Sequence, residues 1–109
     1  MVSNYFKGMK MKKLFLIAIS SALLSGQTLA SDQAPAKLKL CVGCHAADGN
    51  SVVPTFPKLA GQHAKYLEKQ LKDFRGGFRK DSMMESFAKN LSDQDIKELA
   101  EYYSKQHAK

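Results

Sequence analysis

Apolar residues follow three rhythms along this chain, and each predicts a different kind of element. From Leu14 to Leu24 they form one nearly unbroken run, "LFLIAISSALL". Further on, Leu67, Leu71, Phe74 and Phe78 fall at i, i+4, i+7 and i+11, the stripe of an amphipathic helix whose edge Tyr66 extends. Gly61 breaks the chain before that helix and Gly76-Gly77 stops it. The third rhythm is Ile96, Leu99 and Tyr103, the buried face of a last helix. Ser92 caps it, with Asp95 three residues later as a variant of the capping box. Between Cys44 and Gly61, "ADGNSVVPTFP" is rich in turn formers, carries Pro54 and Pro57, and reads as loop. "AKLKL", Ala36 to Leu40, alternates as a strand would, but its place as lead-in to Cys41 argues for a short helix. Met83 and Met84 fall in a segment between two helices. No internal repeat or low-complexity tract appears, and the expectation is one all-α domain.

The first apolar run belongs to a leader. Lys10, Lys12 and Lys13 precede it, and "QTLA" follows it with Thr28 and Ala30 at the small-residue positions of a cleavage site. Basic end, short apolar core and small-residue exit are the parts of a secretory signal peptide. An uncleaved membrane anchor fits less well, because the run is about half the ~20 residues that a spanning helix needs. Residues 1–30 are therefore assigned as signal peptide and residues 31–109 as the folded domain, located in the periplasm.

Removing the leader changes the charge. The chain has 17 basic and 10 acidic residues, formally +7. Four of the basic residues and none of the acidic ones lie in the leader, so the remainder carries 13 against 10, a balance of +3. Nucleic acid loses most of its support as a partner, and export removes the rest. A domain of 79 residues also makes a thin apolar core. Something should supplement it: a metal, a disulfide or a large cofactor.

The candidate is "CVGCHAADGNS", Cys41 to Ser51, which holds the only two cysteines of the sequence. A structural zinc site takes four ligands in a tetrahedron, and the adjacent side chains of Cys44 and His45 diverge. A thioredoxin-like redox pair follows a strand within a βαβ pattern, and no buried strand precedes Cys41. A simple disulfide explains neither His45 nor the thin core. Haem explains both. Residues i and i+3 of a helical turn point the same way, so Cys41 and Cys44 can each bond one vinyl group of a single porphyrin, with His45 as proximal iron ligand. C-x-x-C-H reads as c-type haem attachment, and export suits that chemistry. Methionine opposite histidine is the usual axial pair in electron-carrying c haems. Met1, Met9 and Met11 leave with the leader, so Met83 and Met84 remain as candidates for the sixth position. His63 and His107 are weaker ones, near helix ends.

At this point the chain resembles the class I c-type cytochromes: small monohaem bacterial members, and one half of the dihaem two-domain respiratory members. "CVGCHAADGNS", "FPKLAGQHAKYLEKQLKDFR" and "MMESFAKNLSDQDIKELAEYY" carry the resemblance and cover most of Cys41 to Tyr103. It implies a small cytochrome c fold of about four short helices around one covalent haem c, with thioethers at Cys41 and Cys44 and His45 as proximal ligand. It implies that the Pro57 carbonyl accepts a hydrogen bond from the proximal imidazole. Spacing to the leucine of "NLS" places the distal ligand at Met84, with Met83 as the alternative. The single haem motif departs from the two-domain form. The implied work is outer-sphere transfer of single electrons between respiratory donors and acceptors, with no catalytic residue and no small-molecule substrate. Lys58, Lys65, Lys69, Lys72, Arg75, Arg79, Lys80 and Lys89 are numerous around the expected haem rim. They would steer redox partners with acidic docking surfaces to a monomeric or weakly associating carrier. The rival reading is a haem c subunit or electron-entry module of one periplasmic dehydrogenase or reductase.

Overall fold

The computed structural model describes residues 33–109, and the leader assigned to residues 1–30 lies outside them. The described residues form four α-helices and no strand. These are α1 (Val42–His45), α2 (Ala64–Gly76), α3 (Ser82–Ala88) and α4 (Asp93–Ser104), with a 3-10 turn at Leu38–Leu40 leading into α1. The all-α expectation holds, and so does the short helix before Cys41. No helix among the described residues is long and apolar enough to cross a membrane.

Helix α2 turns Leu67 and Phe74 inward, with Leu71 half-buried beside them. Its end is a Schellman motif. Gly77 takes the left-handed conformation (φ 77°), Phe78 N–H donates to Asp73 O at 2.8 Å, and Gly77 N–H donates to Phe74 O at 3.4 Å. That stop corrects the expected stripe. Phe78 is 87 % exposed, because the left-handed turn redirects the chain before the helical position at i+11 is reached.

Helix α3 brings a second correction. Met83 and Met84 lie within a helix, not in a segment between two. Asp81 Oδ1 accepts from Met84 N–H at 2.9 Å, and Glu85 Oε1 accepts from Asp81 N–H at 3.1 Å. The pair works as a capping box with one extra residue between its partners. Its backbone bond holds Met84 at the third helical position.

Helix α4 starts at the expected box. Ser92 Oγ accepts from Asp95 N–H at 3.0 Å and Asp95 Oδ2 accepts from Ser92 N–H at 2.9 Å. Ile96, Leu99 and Tyr103 are buried, as their spacing predicts. Helices α2 and α4 pack on each other, and α2 also packs on α3. Arg75 ties the elements together, donating to Leu91 O at 2.9 Å and pairing with Asp93 at 2.6 Å. The core is as thin as the chain length suggested: among the described residues, Ile96 and Leu99 are the only large side chains below 2 % exposure.

Candidate haem-binding site

The site is assembled on one turn. Cys41 N–H donates to Leu38 O at 2.8 Å, so the 3-10 turn runs directly into α1. His45 N–H donates to Cys41 O at 2.9 Å, which closes the turn that carries both cysteines and the histidine. Cys41 and Cys44 are half-buried free thiols and His45 is buried. Burial pushes the Cys41 thiol up to about 11. An ionised sulfur is disfavoured there, whereas a neutral thioether carries no such penalty.

His45 Nδ1 lies 2.8 Å from the Pro57 carbonyl oxygen. A carbonyl only accepts, so Nδ1 carries a proton, and this contact selects the neutral tautomer whose Nε2 lone pair is the one a metal-binding imidazole uses. The loop bearing Pro57 is held in turn. Gly49 O accepts from Leu59 N–H at 2.8 Å and from Ala60 N–H at 3.1 Å.

In front of this turn opens a cavity of about 440 Å³ lined mostly by apolar side chains. Cys41, Cys44, His45 and Pro57 line it, together with Met83 and Met84 from α3. Met84 is half-buried against the core, whereas Met83 is 50 % exposed. His63 and His107 are not among the lining residues. The walls include Leu67, Leu71 and Phe74 from α2 and Leu99 and Tyr103 from α4, so the cavity occupies the place of a larger core. Two thiols on one turn, an imidazole with a fixed tautomer, a thioether sulfur on another wall and apolar sides form a donor set that fits a haem.

Of the eight cations expected around the rim, only Lys58 and Arg79 line the cavity. Lys65 pairs with Glu68, Lys69 with Asp73 and Arg75 with Asp93, so those charges are partly offset on the surface. Arg79 donates to Gln70 Oε1 at 2.7 Å and its guanidinium sits 4.6 Å over the Phe74 ring. Sequence reasoning missed Gln70 as a lining residue, although it lies three residues after Leu67 on the same stripe. It also placed Tyr103 only in the core. The Tyr103 hydroxyl donates to Ala46 O at 3.1 Å, and burial holds its pKa well above the usual phenol range, so it stays a donor.

A family model for cytochrome c matches residues 25–106. The chain belongs to the cytochrome c family. It is 42 % identical over 99 residues to a cytochrome c4 of Pseudomonas aeruginosa, a match covering 88 % of this chain and 49 % of that protein. A cytochrome c-554(548) of Halomonas halodenitrificans is 45 % identical over 73 residues, covering 64 % of this chain and 88 % of that one. Reduced recombinant cytochrome c4 from Pseudomonas stutzeri superposes with a TM-score of 0.64 at 40 % identity, over 71 % of this chain and 47 % of that one. The chain thus spans about half the length of the cytochrome c4 proteins it matches. Its fold is that of a class I c-type cytochrome, a family of electron-transfer proteins and not of enzymes. Its cofactor is haem c, to whose covalent attachment the Cys41-x-x-Cys44-His45 motif points.

Proposed function

We propose that this chain is a periplasmic carrier of single electrons, with one haem c bonded to Cys41 and Cys44 and held between His45 and Met84. The observation that carries the reading is the cavity with the His45 imidazole on one wall and the Met84 side chain on another. Bound haem supplies a site that takes up and releases one electron without bond rearrangement.

The chain's own residues do the rest. Cys41 and Cys44 fix the ring to the backbone. Pro57 O orients His45 and increases its basicity through the Nδ1 hydrogen bond. Met84, from α3, would hold the iron together with His45, and a thioether ligand would favour a high reduction potential and leave no need for a substrate site. Leu67, Leu71, Phe74 and Leu99 keep water away from the ring. Lys58 and Arg79, at the cavity, favour acidic partner surfaces and rapid, reversible docking. Such brief contacts suit a freely diffusing carrier with donors and acceptors in a respiratory chain.

The test is an intact mass of the exported protein from a host competent in haem attachment. The expected mass exceeds that of the cleaved polypeptide by one haem, and the pigment stays with the protein in acid-acetone. Haem that washes out overturns covalent attachment.

A further inference from the structure

His45 is followed by Ala46 at φ 66° and ψ 159°, a conformation that is almost the preserve of glycine. Among the described residues it is the only non-glycine with positive φ. An alanine persists there only if its surroundings over-determine the turn, and one side chain stands at the centre of those surroundings. Tyr103 Oη donates to Ala46 O at 3.1 Å, and the same carbonyl accepts from Gly49 N–H at 3.3 Å. The Tyr103 ring seats against Gly49, where a Cβ would come within 2.9 Å of Cδ1. Gly49 O in turn holds Leu59 and Ala60, and Tyr103 O accepts from Gly61 N–H at 3.1 Å. Tyr103 therefore braces both sides of one hydrogen bond: the turn that carries His45, and the loop that carries Pro57.

We propose that Tyr103 is the positioning residue of the proximal side. Its hydroxyl holds the strained Ala46 turn and thereby keeps His45 Nδ1–H on the Pro57 carbonyl. Tyr103 acts through His45 and needs no contact with iron. The inference rests on His45 being the proximal ligand, as proposed above. Neighbouring Tyr102 provides the contrast. Its ring stands edge-on to that of Tyr103 at 79°, and its hydroxyl donates one residue further on, to Ala47 O at 2.9 Å.

The experiment uses haem-loaded protein with 15N-labelled histidine in the reduced state, and it reads solvent exchange of the His45 Nδ1 proton together with the reduction potential. Tyr103→Phe keeps the ring and removes only the hydroxyl. Exchange is expected to quicken roughly two- to tenfold, the effect of losing one neutral hydrogen bond. The potential should rise, because a less basic imidazole stabilises the oxidised state less. Tyr102→Phe should leave both readings near the parent. Ala46→Gly in the Tyr103→Phe background should restore slow exchange, since glycine adopts the turn without help. Unchanged exchange in Tyr103→Phe overturns the proposal, and so does equal quickening in Tyr102→Phe. If Tyr103→Phe does not fold, the double variant decides: slow exchange supports the brace, and failure of both to fold assigns the hydroxyl to stability alone and overturns it. A parent protein with no histidine-ligated spectrum overturns the haem reading itself, a result distinct from all of these.

Discussion

Gly43 and Gly49 lie six residues apart on either side of His45, and the same substitution should act in opposite directions at the two positions. At Gly49 (φ +72°) a Cβ would stand 2.7 Å from Ala60 N, 2.9 Å from Tyr103 Cδ1 and 3.1 Å from Ala60 Cα. The nearest atom is backbone, and it cannot yield easily, because Ala60 N–H is itself bonded to Gly49 O at 3.1 Å. The left-handed conformation costs an L-residue about 1–2 kcal/mol, and overpacking adds about 1–3 kcal/mol. Gly49→Ala should therefore lose about 2–5 kcal/mol. At about 4–8 °C per kcal/mol for a domain of this size, Tm should fall by about 10 °C or more. At Gly43 a Cβ meets nothing within 4 Å. The residue is exposed on the turn of α1, so alanine should gain up to about 0.5–1 kcal/mol from the smaller backbone entropy it loses on folding. The assay is thermal unfolding of the haem-loaded variants by far-UV circular dichroism. A Gly49→Ala protein melting within about 3 °C of its parent would refute the reasoning, since it would mean the two segments flanking the proximal histidine are not held as tightly as these distances imply.

Two further predictions concern acid and haem loss. Asp48 is held at about 2 by hydrogen bonds from Asn50 N–H and the Lys109 ammonium, below its unfolded value, and Asp93 and Asp95 are lowered by Arg75 and by the Ser92 cap. Their contribution is thus fully present above about pH 4 and lost as pH falls towards 2. Tm plotted against pH should decline over that window, and Asp48→Asn should flatten the decline, whereas an unaltered acid limb would contradict it. For haem loss, the Cys41→Ser, Cys44→Ser double variant expressed without haem should lose most of its helical signal, because Leu67, Phe74, Leu99 and Tyr103 are both core and cavity wall. A sharp, native-like melt of that protein would count against a haem-centred core.

The parts of the fold legible in the sequence were those set by local chemistry. Ser92 and Asp95 announce the start of α4 because capping is decided within four residues, and Ile96, Leu99 and Tyr103 share a face because helical period alone decides it. Met83 and Met84 were harder to place. Asp81 and Glu85 form a cap with one residue more than the common spacing, so the short helix that carries the methionines left no standard signature. Phe78 fits the stripe by arithmetic but lies beyond a left-handed glycine, where periodicity no longer applies. In the site, Cys41, Cys44 and His45 stood out as candidates because they fall within five consecutive residues. The positions of Tyr103 and Arg79 depend on how α4 and the α2–α3 connection pack, and no spacing rule carries that information. Among the cations, only Lys58 and Arg79 reach the cavity. Charge counts give numbers without directions.

The account's central claim is a haem held between His45 and a methionine sulfur, and the visible spectrum of two single variants tests it most directly. Met84→Ala should open the sixth position: the low-spin spectrum is lost, the potential falls and carbon monoxide binds the reduced protein. Met83→Ala, at a half-exposed position, should keep the low-spin spectrum and exclude carbon monoxide. The reverse pattern would move the ligand to Met83. An unchanged spectrum in both variants would contradict methionine ligation outright and turn attention to His63 or His107.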